Sequence, residues 1–499
     1  MEGQNLSKSW LYVLIIILAG YFIIRLFNQA KLIWTFPFDY ANDYSSHLAE
    51  LFFLKSCGFH NLCEYWYNGF ILFKSYVPGW FFFTFPLYEV LGDVKVATYV
   101  SLILMFVLCL VGLYLIGRKF NFSIYEVLTW FLILFVNPIS IGNFVRLGRV
   151  TELFGWVIFF FMAYLIFHYR NKEIDWKFFF SFTPLYALLL ISHLNVMVMA
   201  QFFVLSLFLV RFHLKDWVMI LSSIICGFLL ASFWVIPYII DLASNTTLDY
   251  ALGWWLLDFS SAHLLANIAS ILVSLFLVFA FLFYWKQTKF DRKELLFYSP
   301  ILVFNFLVLF RLSPFLPVIK HLYPDPLMFF FLIFAVFFFL RIKLKTYFGF
   351  IRKSLPYVLI GIAILFVIVS AMYTPWFVDH SESDEEVLSL LEEVDGIFLM
   401  GPSLYGSFSR AFYSYAPIYN HLSTAEGWVQ MYVTDEYLGM LDLVDEGFKG
   451  DRCEDVVEGL EYLNVTNVIG YDYYCDFMLE CGLEEVETLE YTCLYKFNP

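Results

Sequence analysis

The stretch FPFDYANDYSSHLAELFF, residues 36–53, gathers Asp39, Asp43, His47 and Glu50 directly after an apolar run that ends at Phe27. A carboxylate there could take a proton from an attacking group, and an imidazole four residues on could accept a proton or orient that carboxylate near neutral pH. Oxygens of Asp39 and Asp43 could equally bind a divalent cation. If 38–53 is a helix entered at Pro37, the acids, Asn42, Ser46 and His47 share one half of the wheel, and Ala41, Tyr44, Leu48, Leu51 and Phe52 the other. The pattern predicts an interfacial amphipathic helix whose acid and imidazole stripe faces water. A merely solvated face is the simpler alternative, although like charges at helical contact distance cost about a few tenths of a kcal/mol per pair.

A base needs something to hold its substrate. The segment NFVRLGRVTELFGW (143–156) supplies Arg146, Arg149 and Glu152, and RLSPFLPVIKHLYPDP (311–326) supplies Arg311, Lys320 and His321. Guanidinium groups suit phosphate, but the same side chains would also serve by snorkelling to lipid headgroups. A third patch combines Arg410 with NHLSTAEGWVQMY (420–432), which holds His421, Glu426 and Trp428. Such a polar and aromatic loop could grip an acceptor or another ligand, or be a solvated surface with packed aromatics.

What positions these groups is a membrane protein. Of 499 residues, 61% are hydrophobic and only 15% charged, and the mean hydropathy is +0.74. No water-soluble globule of this size could cover its surface with so few charges. The net charge of -14 divides unevenly: from Thr374 onward there are 26 acids and 4 bases, before it 18 acids and 26 bases. A basic membrane part, 1–373, therefore precedes an acidic domain, 374–499.

Apolar runs near 9–27, 95–117, 124–142, 151–168, 177–193, 195–211, 216–238, 263–285, 294–311, 326–341 and 355–373 predict about eleven transmembrane helices. The piece 76–91 contains Pro78 and Pro86 and reads as a short interfacial or re-entrant element within the first outer loop, 28–94. The first run lacks a small-residue cleavage site and reads as a retained anchor. Base-rich connections at 117–120, 168–177, 211–215, 286–293 and 341–353 fall on one side, which predicts a cytoplasmic N-terminus and an extracytoplasmic tail at the cell membrane. Cys57, Cys63, Cys453, Cys475, Cys481 and Cys493 all fall outside, in even numbers per segment, as disulfides require. Zinc held by Cys57, His60 and Cys63 is the alternative for the first pair, at a spacing too long for the usual thiolate ligands. The sequons at Asn245 and Asn464 also fall outside. In the tail, SDEEVLSLLEEV (383–394) and CEDVVEGLEYL (453–463) predict helices, and GIFLM, VTNVIGYD and the segment ending at Phe497 predict strands, giving a small α/β domain.

A first span, an outer loop with Asp in an interfacial helix, many further spans and an outer α/β domain resemble the GT-C class of integral-membrane glycosyltransferases. More narrowly, the layout is similar to archaeal and bacterial membrane proteins related to oligosaccharyltransferases and protein mannosyltransferases. The resemblance covers nearly the whole chain and rests on Asp39 or Asp43 and on the Arg/Glu connection at 146–152. It implies transfer of a sugar from a polyprenyl-phosphate donor to a glycan, lipid or protein acceptor, among membrane lipids and without nucleic acid. Asp43 or Asp39 would be the base or metal ligand, with Mg2+ or Mn2+ the cation if one is used, and Arg146, Arg149 or Arg311 would hold phosphate. No WWDYG sequence occurs in the tail, and GWWLLD (253–258) lies between spans, so peptide-Asn transfer does not follow. Two other readings stand beside this one: a transporter or flippase of a lipid-linked or anionic solute, and a non-catalytic membrane protein with a binding ectodomain.

Overall fold

A computed structural model describes residues 6–39, 43–244, 264–316, 319, 322, 324–342, 349–402, 409–428 and 433–498. The chain divides into two compact units. The first comprises Met1–Leu26, Leu102–Val145 and Arg149–Pro375, and the second Phe27–Ser101, Arg146–Gly148 and Trp376–Pro499.

Each of the eleven apolar runs is helical. Among the described residues six helices are long and apolar enough to cross a membrane: Leu11–Ile33, Val94–Lys119, Val150–Tyr169, Leu214–Asp241, Leu264–Gln287 and Pro324–Arg341. Ile124–Val136 and Pro138–Arg146 make a seventh if a pair bent by 61° counts as one span. The break has a local cause. Proline disfavours helical backbone at the residue before it, and Asn137 accordingly adopts ψ 156 and caps the next turn by accepting from the Ser140 N–H at 3.1 Å. The chain then continues as a π-helical turn, Ile141–Arg146. Trp176–Leu190, Leu194–Val210 and Tyr357–Tyr373 are shorter apolar helices, and Arg292–Leu309 opens with Arg292, Lys293 and Glu294. Within the first unit the fully buried Arg25 donates to the Thr374 and Pro375 carbonyls at 2.8 and 3.1 Å, tying the first helix to the end of Gly349–Tyr373.

In the second unit the expected short element is a helix of 13 residues, Gly79–Leu91. At ~1.5 Å per residue it is too short for a ~30 Å hydrocarbon core. The helix expected over 38–53 runs instead from Tyr44 to Ser56, with Asp43 at its N-cap. Its stripe does not face water: every residue from Tyr44 to Leu54 is buried. Gly79–Leu91 and a helix from the tail, Ser409–Tyr419, both pack on it, so no face is left to solvent.

Two short strands, β1 (Leu62–Cys63) and β2 (Phe70–Ile71), pair beside a Cys57–Cys63 disulfide. The tail folds as an α/β sheet of β3 (Ile397–Gly401), β4 (Ser423–Thr424), β5 (Asn467–Tyr471), β6 (Glu484–Thr488) and β7 (Thr492–Lys496), in the order β4-β3-β5-β7-β6. β3 runs parallel to β4 and β5, while β7 is antiparallel to β5 and β6. The predicted tail helices are Glu382–Leu390, with Ser381 and Asp384 forming a capping box, and Cys453–Tyr462. Phe398, Met400, Val468, Ile469 and Leu494 fill the core against Val387, Leu390, Val456 and Leu460. Disulfides Cys453–Cys481 and Cys475–Cys493 close overlapping loops, so all six outer cysteines are paired, and Cys57–Cys63 is not a zinc site.

The first outer loop is stitched onto this sheet. Trp66 bridges Thr424 in parallel, the Thr424 N–H donates to the Tyr65 carbonyl at 2.9 Å, and Trp66 Nε1 donates to the Tyr413 carbonyl at 2.7 Å. Asn68 donates to the Leu463 carbonyl.

Candidate functional site

The π-helical turn ends at Arg146, whose Nη2 donates to Asp39 Oδ2 at 2.5 Å. Both side chains belong to the second unit, and both are buried. The guanidinium also lies 4.7 Å from the Phe377 ring, which stacks on Phe38 at 4.1 Å. Its Nη1 and Nε have no hydrogen-bond partner among the described residues. A charge so placed is affordable only while its carboxylate stays with it.

Asp43 is placed differently. Its backbone N–H donates to the Leu147 carbonyl at 2.5 Å and its own carbonyl accepts from the His47 N–H, while its half-buried side chain makes no capping hydrogen bond. Gly148, with φ +78, is required nearby because a Cβ there would sit 2.6 Å from the Tyr44 ring. Burial pushes the Tyr44 hydroxyl well above its ordinary range, against the pull of Gln29 and Arg146. His47 is buried, with Nδ1 3.6 Å from Glu50 Oε2. That is too long for a hydrogen bond.

The other expected phosphate holders lie in the first unit. Arg149 Nη1 donates to Asp325 Oδ2 at 3.1 Å and lies 3.9 Å from Glu152 Oε2, while Glu152 Oε1 accepts from Trp156 Nε1. Asn143 adds a long contact to the same Asp325 oxygen. Arg311 donates to Ser270 Oγ and the Asn267 carbonyl, which engages it with helix Leu264–Gln287. Lys320, His321, Asn245 and the GWWLLD segment lie outside the described residues. Asp325, between two prolines, was not among the expected site residues. Its only signal was an acid at the start of an apolar helix.

In the tail patch Arg410 Nη2 donates to Glu426 Oε1 at 3.2 Å. Burial pushes the Glu426 carboxyl up to about 7, despite Arg410 and the Tyr413 hydroxyl. His421 stands apart, exposed and 6.1 Å from the Phe52 ring, and Trp428 is half-buried.

Among the described residues no three His, Cys, Asp or Glu side chains converge as a metal site requires. A cation on Asp39 would have to displace Arg146. Among the described residues no donor set for Mg2+ or Mn2+ is assembled.

No family model matches the chain, and no curated protein does. Solved structures do. The archaeal oligosaccharyltransferase AglB from Archaeoglobus fulgidus, in complex with an inhibitory peptide and a dolichol-phosphate, aligns with a TM-score of 0.54 at 10% identity, over 93% of this chain and 69% of that one. An Archaeoglobus fulgidus oligosaccharyltransferase in complex with Zn and sulfate gives 0.54 at 11%, over 90% of this chain and 68% of that one. The arabinofuranosyltransferase AftD from Mycobacteria gives 0.58 at 13%, over 98% of this chain and 40% of that one. The chain has the GT-C fold. At these identities the likeness is one of architecture, and the GT-C fold by itself names neither donor nor acceptor.

Proposed function

We propose that this protein is a multi-pass membrane glycosyltransferase that moves a sugar from a polyprenyl-phosphate donor to an acceptor at the outer membrane face. The observation that carries the reading is the division of labour in the first outer loop, where Asp39 is engaged by the buried Arg146 while Asp43 is half-buried and makes no cap bond. Asp43 is the base: it takes the proton of the acceptor nucleophile as that atom forms its bond to the sugar C1. The C1–O bond to phosphate breaks, and the electron pair leaves on polyprenyl phosphate. Arg146, positioned by Asp39, meets the departing phosphate through Nη1 and Nε, since electrostatic stabilisation of a leaving group works where charge develops. Three disulfides in the unit that contains this loop and the tail support an oxidising, extracytoplasmic location, and the base-rich connections support a cytoplasmic N-terminus.

The test is sugar transfer from polyprenyl-phosphate donors in membranes carrying the wild type, Asp43→Asn or Asp39→Asn. Asp43→Asn should lower kcat by about a hundredfold or more with little change in donor KM. Transfer undiminished in both variants removes the mechanism.

A further inference from the structure

Helices Trp176–Leu190 and Leu214–Ser244 belong to the first unit and approach each other closely at Gly227. A Cβ there would lie 2.9 Å from Tyr186 Cδ1 and 3.1 Å from the Thr183 carbonyl oxygen, so a side chain would hold the helices apart. Beside this crossing they leave an apolar groove. One stretch of it, about 540 Å3, lies between Phe180, Pro184, Leu229 and Leu230. The next, about 590 Å3, lies between Trp176, Lys215, Val218 and Met219, and Phe179 and Cys226 line both. From Leu214 to Leu230 the groove follows about 24 Å of helix at ~1.5 Å per residue, more than the depth of one leaflet, about half of a ~30 Å hydrocarbon core. Its walls include exposed apolar side chains on a helix long and apolar enough to cross a membrane, so lipid rather than water covers it.

The end at Lys215 distinguishes this groove from a plain lipid-facing surface. There the connections 168–177 and 211–215 touch, through Arg211 on the Lys172 carbonyl and Lys215 on Glu173. They carry the bases Lys172, Lys177, Arg211 and Lys215 with the acids Glu173, Asp175 and Asp216. Two of the acids are committed: Asp175 caps helix Trp176–Leu190, accepting from the Phe178 N–H at 3.0 Å, and the buried Asp216 pairs with Arg211 at 3.0 Å. Glu173 meets Lys215 at 2.6 Å, but their side chains are 74% and 68% exposed, where an ion pair is worth little. A lipid phosphate arriving with its acyl chain in the groove can take Lys215 and leave Glu173 to water at small cost. Trp176, exposed at the same end, suits the headgroup level. A zwitterionic headgroup would bring its own cation to a rim where bases outnumber acids, and an anionic one would not.

We propose that this groove seats an acyl chain of an anionic phospholipid whose phosphate meets Lys215. In the proposed orientation this end lies at the cytoplasmic face, opposite the polyprenyl-phosphate donor, and the inference stands whether or not sugar is transferred.

The test uses the full chain, delipidated in detergent, with dioleoyl phosphatidylglycerol or dioleoyl phosphatidylcholine added back and bound lipid counted by native mass spectrometry. Alkylation by N-ethylmaleimide reports the groove independently, because Cys226 lines it, Cys109 is buried and the other six cysteines are paired. The wild type should bind phosphatidylglycerol about fivefold more tightly than phosphatidylcholine, the contribution of one lysine beside an anionic lipid surface, and the bound lipid should slow alkylation. Lys215→Gln should keep the thermal midpoint and lose the preference. Ser222→Phe, which fills the groove, should weaken both lipids about tenfold. Equal binding of the two lipids by the wild type, a preference unchanged in Lys215→Gln, affinity unchanged in Ser222→Phe, or alkylation that lipid does not slow overturns the proposal. Displacement of phosphatidylglycerol by glycerol 3-phosphate, which has the phosphate and no chain, would also overturn it. So would stronger displacement by polyprenyl phosphate, which would make this a groove for the donor.

Discussion

Removing one member of the Asp39–Arg146 pair should be far worse than removing both. The two side chains meet at 2.5 Å and are 7% and 6% exposed, so neither can recover water when its partner goes. Stranding a charge in such a place costs about 3 to 5 kcal/mol, whereas replacing both members by apolar groups of similar volume is often neutral or better. Asp39→Leu and Arg146→Met are therefore each expected to destabilise by about 4 kcal/mol, roughly a thousandfold in the folding equilibrium. The double variant should lie within about 1 kcal/mol of wild type, a coupling several times that of any surface pair. Salt should matter little, because burial limits screening. The assay is reversible denaturation of the full chain in detergent, followed by tryptophan fluorescence, on the four proteins of the cycle. Single losses below about 1 kcal/mol that simply add in the double variant would show that the pair is hydrated, and the reasoning would fail. Sugar transfer by the folded double variant separates the roles, since it should keep its stability and lose the phosphate contact.

Glu426 gives a pH signature. Its carboxyl titrates at about 7 rather than 4.5 because it is buried, so the fold favours the protonated form. The stability it contributes is full below pH 4.5 and is lost as pH rises through 7, by about 3 kcal/mol at most. Glu426→Gln should flatten that fall in a series of unfolding midpoints from pH 4 to 8; an unchanged slope assigns it to other groups. Gly148→Ala places a Cβ at φ +78 against the Tyr44 ring and should cost about 2 kcal/mol, with transfer reduced through the adjacent Arg146. Wild-type stability and transfer in that variant would mean that the turn yields freely. Cys453→Ser opens a loop of 28 residues and should destabilise the protein by about 3.5 kcal/mol on chain-entropy grounds. A melting curve with no shift would argue against that loop being closed.

Local chemistry made much of the fold legible. Apolar runs located helical segments because a bilayer demands long uncharged stretches, and among the described residues six of these helices are long and apolar enough to cross one. Even cysteine numbers outside the spans anticipated three pairs, and the capping box at Ser381 is visible in SESD itself. Spacing set Asp39 and Asp43 in the first outer loop and Arg146 and Arg149 in a later connection as candidates, but that Asp39 pairs with Arg146 was not legible in it. The misreadings share one cause, contacts between residues far apart in sequence. Periodicity placed His47 and Glu50 on a wet stripe, yet a helix that begins at Ser409 covers the Tyr44–Ser56 helix. The partner of Arg149 is Asp325, 176 residues on, and no spacing rule reaches that far. Pro138, within an apolar run read as one span, was the overlooked local signal, since the bend at Asn137 is what a proline there predicts.

Stitching Trp66 to Thr424 and Tyr413 has a consequence for biogenesis. These contacts join residues separated by about 350 positions. At roughly 5 to 20 residues per second of synthesis, the early loop waits about 20 to 70 s before its covering segment exists. Through that interval Phe53, Trp66 and Phe70, which pack ring against ring in the finished protein, have no lid. The nascent protein must shelter this aromatic surface in the lipid interface or on a chaperone, and a chain cut short before the tail would display it permanently to quality-control proteases.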